Sequence, residues 1–101
     1  MTVLLDIYGE LLTEKQRISM ELFYNDDYSL AEIGEDLEIS RQGVHENIKQ
    51  GTDKIKKLEK VLKINEKRLQ LKKACDKMKD HFEKEEINEA KRELDIIENI
   101  F

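Results

Sequence analysis

Two serines eleven residues apart do most to limit what this chain can fold into. Ser29 precedes Leu30, Ile33 and Leu37, which recur at the spacing of one helix face. Glu32 comes three residues after Ser29. That is the interval of a capping box, in which hydroxyl and carboxylate each satisfy an orphan backbone donor. Ser40 is a second N-cap residue. The longer helix it opens carries its apolar stripe on Val44, Ile48 and Ile55. Between the helices Glu38-Ile39 makes the turn, with Ile39 as an apolar plug. A short capped helix, a tight turn and a longer capped helix make a helix-turn-helix.

The rest of the chain agrees with an all-α fold. Its 101 residues include no proline and four glycines, and 41% are charged. Helix formers dominate such a composition. Residues 2–12 form a first amphipathic helix with Val3, Leu4, Ile7, Tyr8, Leu11 and Leu12 apolar. Gly9 sits inside it, at a cost of about 1 kcal/mol relative to alanine. Thr13 caps a second helix, and Gln16 completes another capping-box spacing. Ile18, Leu22 and Phe23 are expected to face inward there. Asn25-Asp26-Asp27 makes a polar turn.

Beyond the motif the apolar pattern changes phase. At about 100° per residue, Val44, Ile48, Ile55, Leu58, Leu62 and Leu69 share a face. Leu71, Cys75, Met78 and Phe82 form a second stripe on the opposite side. Either the helix breaks near Ile64–Arg68, or one long helix touches two partners. The reading favours a break near Asn65, with Asn65 capping the next helix. A last helix begins near Glu86, where Ile87, Ala90, Leu94, Ile97 and Phe101 keep a 3-4-3-4 seam, too short to stand alone. Two domains are expected, a helix-turn-helix over 1–64 and a helical extension over 65–101. The extension pairs with a second copy, since such modules commonly bind two half-sites as dimers, or folds back on the first helix.

Charge is distributed unevenly. The net charge is −5: residues 1–40 carry −8, residues 41–73 carry +7 and residues 74–101 carry −4. The basic middle is suited to phosphates, or to the acidic flanks of its own chain. Asp6 and Glu10 interrupt the apolar start and no basic segment precedes it, so a signal peptide or membrane span is not expected. A cytoplasmic protein is. The lone Cys75 excludes an intramolecular disulfide and a multi-cysteine zinc site, and is expected as a small buried residue. His45 and His81 are far apart in sequence, and His81 is expected on a solvated helix edge. With no nucleophile triad, phosphate loop or metal-ligand cluster, no enzymatic activity and no cofactor is expected.

The segments Leu12-Thr-Glu-Lys-Gln-Arg, Asp26-Asp-Tyr-Ser-Leu-Ala-Glu-Ile-Gly and Ile39-Ser-Arg-Gln-Gly-Val resemble region 4 of bacterial sigma factors. They resemble more closely the YlxM family of small helix-turn-helix proteins, over roughly residues 3 to 63. The resemblance implies a sigma region 4-like bundle and a DNA-binding regulator. It also implies a tie to the signal recognition particle, through its GTPase or its RNA, inferred from gene neighbourhood.

In a helix-turn-helix the N-terminal residues of the second helix enter the major groove. The candidate nucleic-acid-binding residues are therefore Ser40, Arg41, Gln42, Gly43, His45, Glu46 and Lys49. Gln42 suits a bidentate contact to adenine and Arg41 a phosphate or guanine. Ser40 suits a phosphate, and Gly43 leaves room for a close backbone. Glu46 is able to accept from a cytosine amino group. Asp53 on the same face opposes a phosphate path. Sigma region 4 typically carries several arginines along this helix, where this face has one lysine.

Overall fold

The computed structural model describes residues 1–100 and contains no strand among them. Six α-helices run in order: α1 (Thr2–Tyr8), α2 (Glu14–Tyr24), α3 (Leu30–Leu37), α4 (Arg41–Leu62), α5 (Ile64–Glu83) and α6 (Ile87–Glu98). The chain divides into two compact units, Met1–Leu62 and residues 63 onward.

In the first unit, local chemistry sets most helix ends. The first helix is shorter than its apolar run, because the backbone tightens into a 3-10 turn over Gly9–Leu11. Thr13 accepts from the Gln16 amide and Gln16 returns to the Thr13 amide, so the expected box forms. Ser29 and Glu32 make the same reciprocal pair at 3.1 Å each. Ser40 Oγ accepts from the Gly43 amide at 3.0 Å. These side chains satisfy donors that a helix start leaves without partners.

The core of this unit gathers Leu5, Tyr8, Leu12, Met20, Ile33, Val44, Ile48 and Ile55. Burying a side chain such as Ile33 or Ile55 contributes about 1.5–3 kcal/mol. Tyr8 is buried, and its hydroxyl donates to Glu59 at 2.6 Å. On α2, Ser19 and Met20 are the fully buried residues, while Ile18, Leu22 and Phe23 are half-buried. The reason lies on α4. Gly51 is buried there with no side chain, and a Cβ would collide with Met20 Sδ. The two helices therefore close along the Ser19–Met20 side.

The helix break falls two residues earlier than expected. α4 ends at Leu62, and Lys63 takes a left-handed conformation (φ 54°) as the N-cap of α5. Asn65 lies inside α5, where its side-chain oxygen accepts from Arg68. The break resets the helical phase. Leu58 is half-buried, whereas Leu62 and Leu69, expected on the same stripe, are exposed.

The second unit is a helical hairpin. Glu85 is left-handed (φ 60°), and the Glu86 amide donates to the His81 carbonyl at 2.7 Å. His81 Nδ1 lies 2.6 Å from Glu86 Oε2, so this half-buried ring is tied across the turn rather than standing on a solvated edge. Only Ala74, Ala90 and Glu93 are buried among the described residues of this unit. The predicted seam is therefore displaced. Ala90 lies inside, but Ile87 and Leu94 are about half exposed. Leu71, Cys75 and Met78 are half-buried and Phe82 is exposed, so Cys75 is not the fully buried residue expected. Small alanines let the backbones approach, and the bulky residues are left on the rim. The last seam residue, Phe101, lies outside the described residues.

Candidate nucleic-acid interface

The turn between α3 and α4 orients the candidate interface. Glu38 ends α3 in a left-handed conformation (φ 57°), and the Ile39 amide donates to the Gly34 carbonyl at 3.0 Å. Ile39 is half-buried and packs on the core as a plug. Gly34 is required here. A Cβ would stand 2.8 Å from the Ile39 carbonyl oxygen. Periodicity does not disclose this close approach, because a glycine inside an apolar repeat is marked only as a weak helix former.

From this turn α4 leaves with two unlike faces. Val44 is fully buried and Ile48 nearly so. Ser40, Arg41, Gln42, His45, Glu46 and Lys49 are all exposed, as is Asp53. Gly43 is half-buried and faces the turn. A Cβ on it would come within 3.2 Å of Ser40 Oγ and 3.8 Å of Ile39 Cδ1. Its missing side chain thus serves the cap and plug. Ser40 accepts the Gly43 amide and keeps its hydroxyl proton for a further acceptor.

Arg41, Gln42 and His45 line an open hollow of about 460 Å³ together with Leu30 from the first turn of α3. Leu30 belongs to the predicted core stripe, and it is half-buried. Spacing alone does not separate a core position from a rim position in the first turn of a helix. Further along, Glu46 accepts from Gln50 at 3.1 Å, and Gln50 accepts from Gln16 of α2 at 3.4 Å. The Glu46 carboxylate is thus partly engaged along its own helix. Lys54, Lys56, Lys57 and Lys60 are exposed on the later turns of α4.

Electrostatics divide the unit. Residues 1–62 hold eight basic and thirteen acidic side chains. α4 carries six of the bases, and α3 with its cap carries Glu32, Glu35, Asp36 and Glu38, all exposed. The Glu32 carboxyl is held below its ordinary value, chiefly by the Ser29 amide and then by the Ser29 hydroxyl.

A short helix, a plugged turn and a second helix with its N-terminal side chains in solvent define a helix-turn-helix protein. The comparison with known sequences narrows the class. Residues 1–95 match the model of the UPF0122 family, described as "Putative helix-turn-helix protein, YlxM / p13 like". The chain belongs to that family. A UPF0122 protein of Caldanaerobacter subterraneus subsp. tengcongensis is 45% identical over 80 residues, 79% of this chain and 68% of the relative. One of Acetivibrio thermocellus is 48% identical over 79 residues, 77% of this chain and 68% of the relative. One of Listeria innocua is 37% identical over 102 residues, 99% of this chain and 93% of the relative. Among the described residues no helix is long and apolar enough to cross a membrane.

Proposed function

We propose that this protein is a DNA-binding helix-turn-helix regulator of the cytoplasm that reads duplex DNA with the first turns of α4. The observation that carries this reading is the two-faced start of that helix. Val44 and Ile48 anchor it, while Arg41, Gln42, His45 and Lys49 stand in solvent on one continuous surface. In the major groove the Gln42 amide matches the donor and acceptor of adenine, and Arg41 reaches guanine or a phosphate. Leu30 and the hollow beside it suit the thymine methyl of such an A·T pair. Ser40 donates to a phosphate oxygen. Glu46, held by Gln50, suits a cytosine amino group.

Selection of duplexes from a random pool at about 50 mM salt tests the reading. An enriched sequence is expected, with affinity that falls steeply as salt rises. Arg41→Ala with Gln42→Ala should weaken binding to it by about tenfold or more. Recovery of no duplex at that salt would remove DNA from the account.

A second reading has its own support. The four exposed carboxylates on α3 and its cap belong to the same motif and disfavour a phosphate backbone. The same scaffold then serves as an interaction module for the signal recognition particle, through its GTPase or its RNA. Pull-down from lysate with and without nuclease separates the two. Capture of the GTPase that survives nuclease favours the protein partner. Capture of DNA that nuclease abolishes favours the first reading.

A further inference from the structure

We infer that the second unit is half of a four-helix bundle, completed by the same hairpin from a second copy of this chain. The hairpin is built too thinly to be its own core. Two alanines and Glu93 are its only buried residues among those described. Most of its large apolar side chains are gathered on one side, with Leu69 and Ile96 exposed off it. On α5, Leu71, Cys75, Met78 and Phe82 lie to one side of Ala74 at about 100° per residue. On α6, Ile87 and Leu94 lie to one side of Ala90 by the same rule. The two helices of the hairpin run antiparallel, and one cleft between them is lined by Gln70 and Lys77 of α5, by Glu93 of α6 and by Ile100 just beyond it. In antiparallel helices these two sides coincide. The opposite side is that cleft, where Lys73, Lys77 and Glu93 stand among Ala74, Ile96 and Ile100.

This side of the hairpin is therefore an apolar face open to solvent, with Phe82 55%, Ile87 50% and Leu94 46% exposed. Charge on its margins indicates which partner fits. The outer edge of α5 carries Arg68, Lys72 and Lys79, all exposed. The outer edge of α6 carries Asp95 and Glu98, with Lys91 a turn earlier. A two-fold axis along the bundle sets each α5 against the partner's α6 and preserves their axial levels. The basic edge of one hairpin then meets the acidic end of the other, twice over. A surface whose two margins complement each other is suited to a copy of itself. A basic or acidic stranger would match one margin and repel the other.

Sedimentation equilibrium of the full chain tests this directly. The expected mass is near twice the chain's 12.0 kDa at micromolar concentration. Phe82→Lys with Leu94→Lys places two unpaired charges at the new interface and should weaken dimerisation by roughly a hundredfold. Lys72→Glu alone and Glu98→Lys alone should each weaken it, and the two together should restore it. Restoration distinguishes a surface contact from a folding defect, which a charge swap does not repair. Alkylation of Cys75 gives a second readout: slow in the native chain, fast in the Phe82/Leu94 variant. A monomeric native chain would overturn the inference. So would a dimer that is indifferent to the Phe82 and Leu94 changes, or a charge swap that fails to rescue.

Discussion

At the scale of single residues, the capping pairs carry much of the local definition. Ser29 and Glu32 exchange two hydrogen bonds at the start of α3, and the one from the Ser29 amide to the Glu32 carboxylate favours its ionised form. Glu32 therefore has a lower pKa folded than unfolded. Its contribution to stability is present above the unfolded value and is lost as pH falls through the folded one. Replacing Glu32 with glutamine keeps a capping side chain but removes the titration. The native chain should melt higher than Glu32→Gln at neutral pH, and the gap should close in acid. Thermal unfolding followed by circular dichroism at pH 7 and pH 3 checks this, and a gap of constant size would contradict it. The pairing itself was legible in the sequence, because a cap depends on residue type and an interval of three. The role of Gly34 was not. It depends on how close the Ile39 carbonyl comes, and that distance is set by tertiary packing.

At the scale of elements, the α3–α4 turn sets the angle at which the candidate interface is presented. Gly34→Ala places a carbon 2.8 Å from a backbone oxygen that no side-chain rotation moves away. The turn must open, at a cost of about 1–3 kcal/mol. Urea denaturation should show that loss, and duplex affinity should fall with it because α4 is re-aimed. An alanine variant of full stability would mean that the turn relaxes freely. The same distinction explains which elements the sequence disclosed. Periodicity located α1 to α4 because their apolar residues face one another across a shared core. It also placed the α4–α5 break to within two residues, but residue type misassigned the cap. Lys63 adopts the left-handed backbone without glycine or proline to mark it, and Asn65, the better cap by residue type, lies within the helix. On α6 it located the helix and Ala90, but it also chose bulky Ile87 and Leu94 and missed Glu93, on which the hairpin closed. Pattern rules reward large apolar side chains, whereas close helix approach selects small ones.

At the scale of the whole molecule, the two units differ in how they are held. The first has eight buried apolar or aromatic residues in one cluster and a tyrosine hydroxyl bonded to Glu59. Among its described residues the second has two buried alanines and a carboxylate. A hairpin of that kind lacks the apolar burial to offset the cost of ordering its backbone, about 1–2 kcal/mol per residue. On the proposed pairing part of its stability comes from association, and association depends on concentration. Amide hydrogen exchange read helix by helix separates the two sources. Protection in α5 and α6 should rise as protein concentration is raised from about 1 to 100 μM, by up to about half of RT ln of the ratio, because free monomer grows only as the square root of total concentration once the dimer dominates. Protection of Val44 to Ile55 in α4 should stay constant over the same range, because its core lies within one chain. If α5 and α6 are as protected in the dilute sample as in the concentrated one, the hairpin is held from within its own chain. The apolar side formed by Phe82, Ile87 and Leu94 would then have no part in holding the unit together.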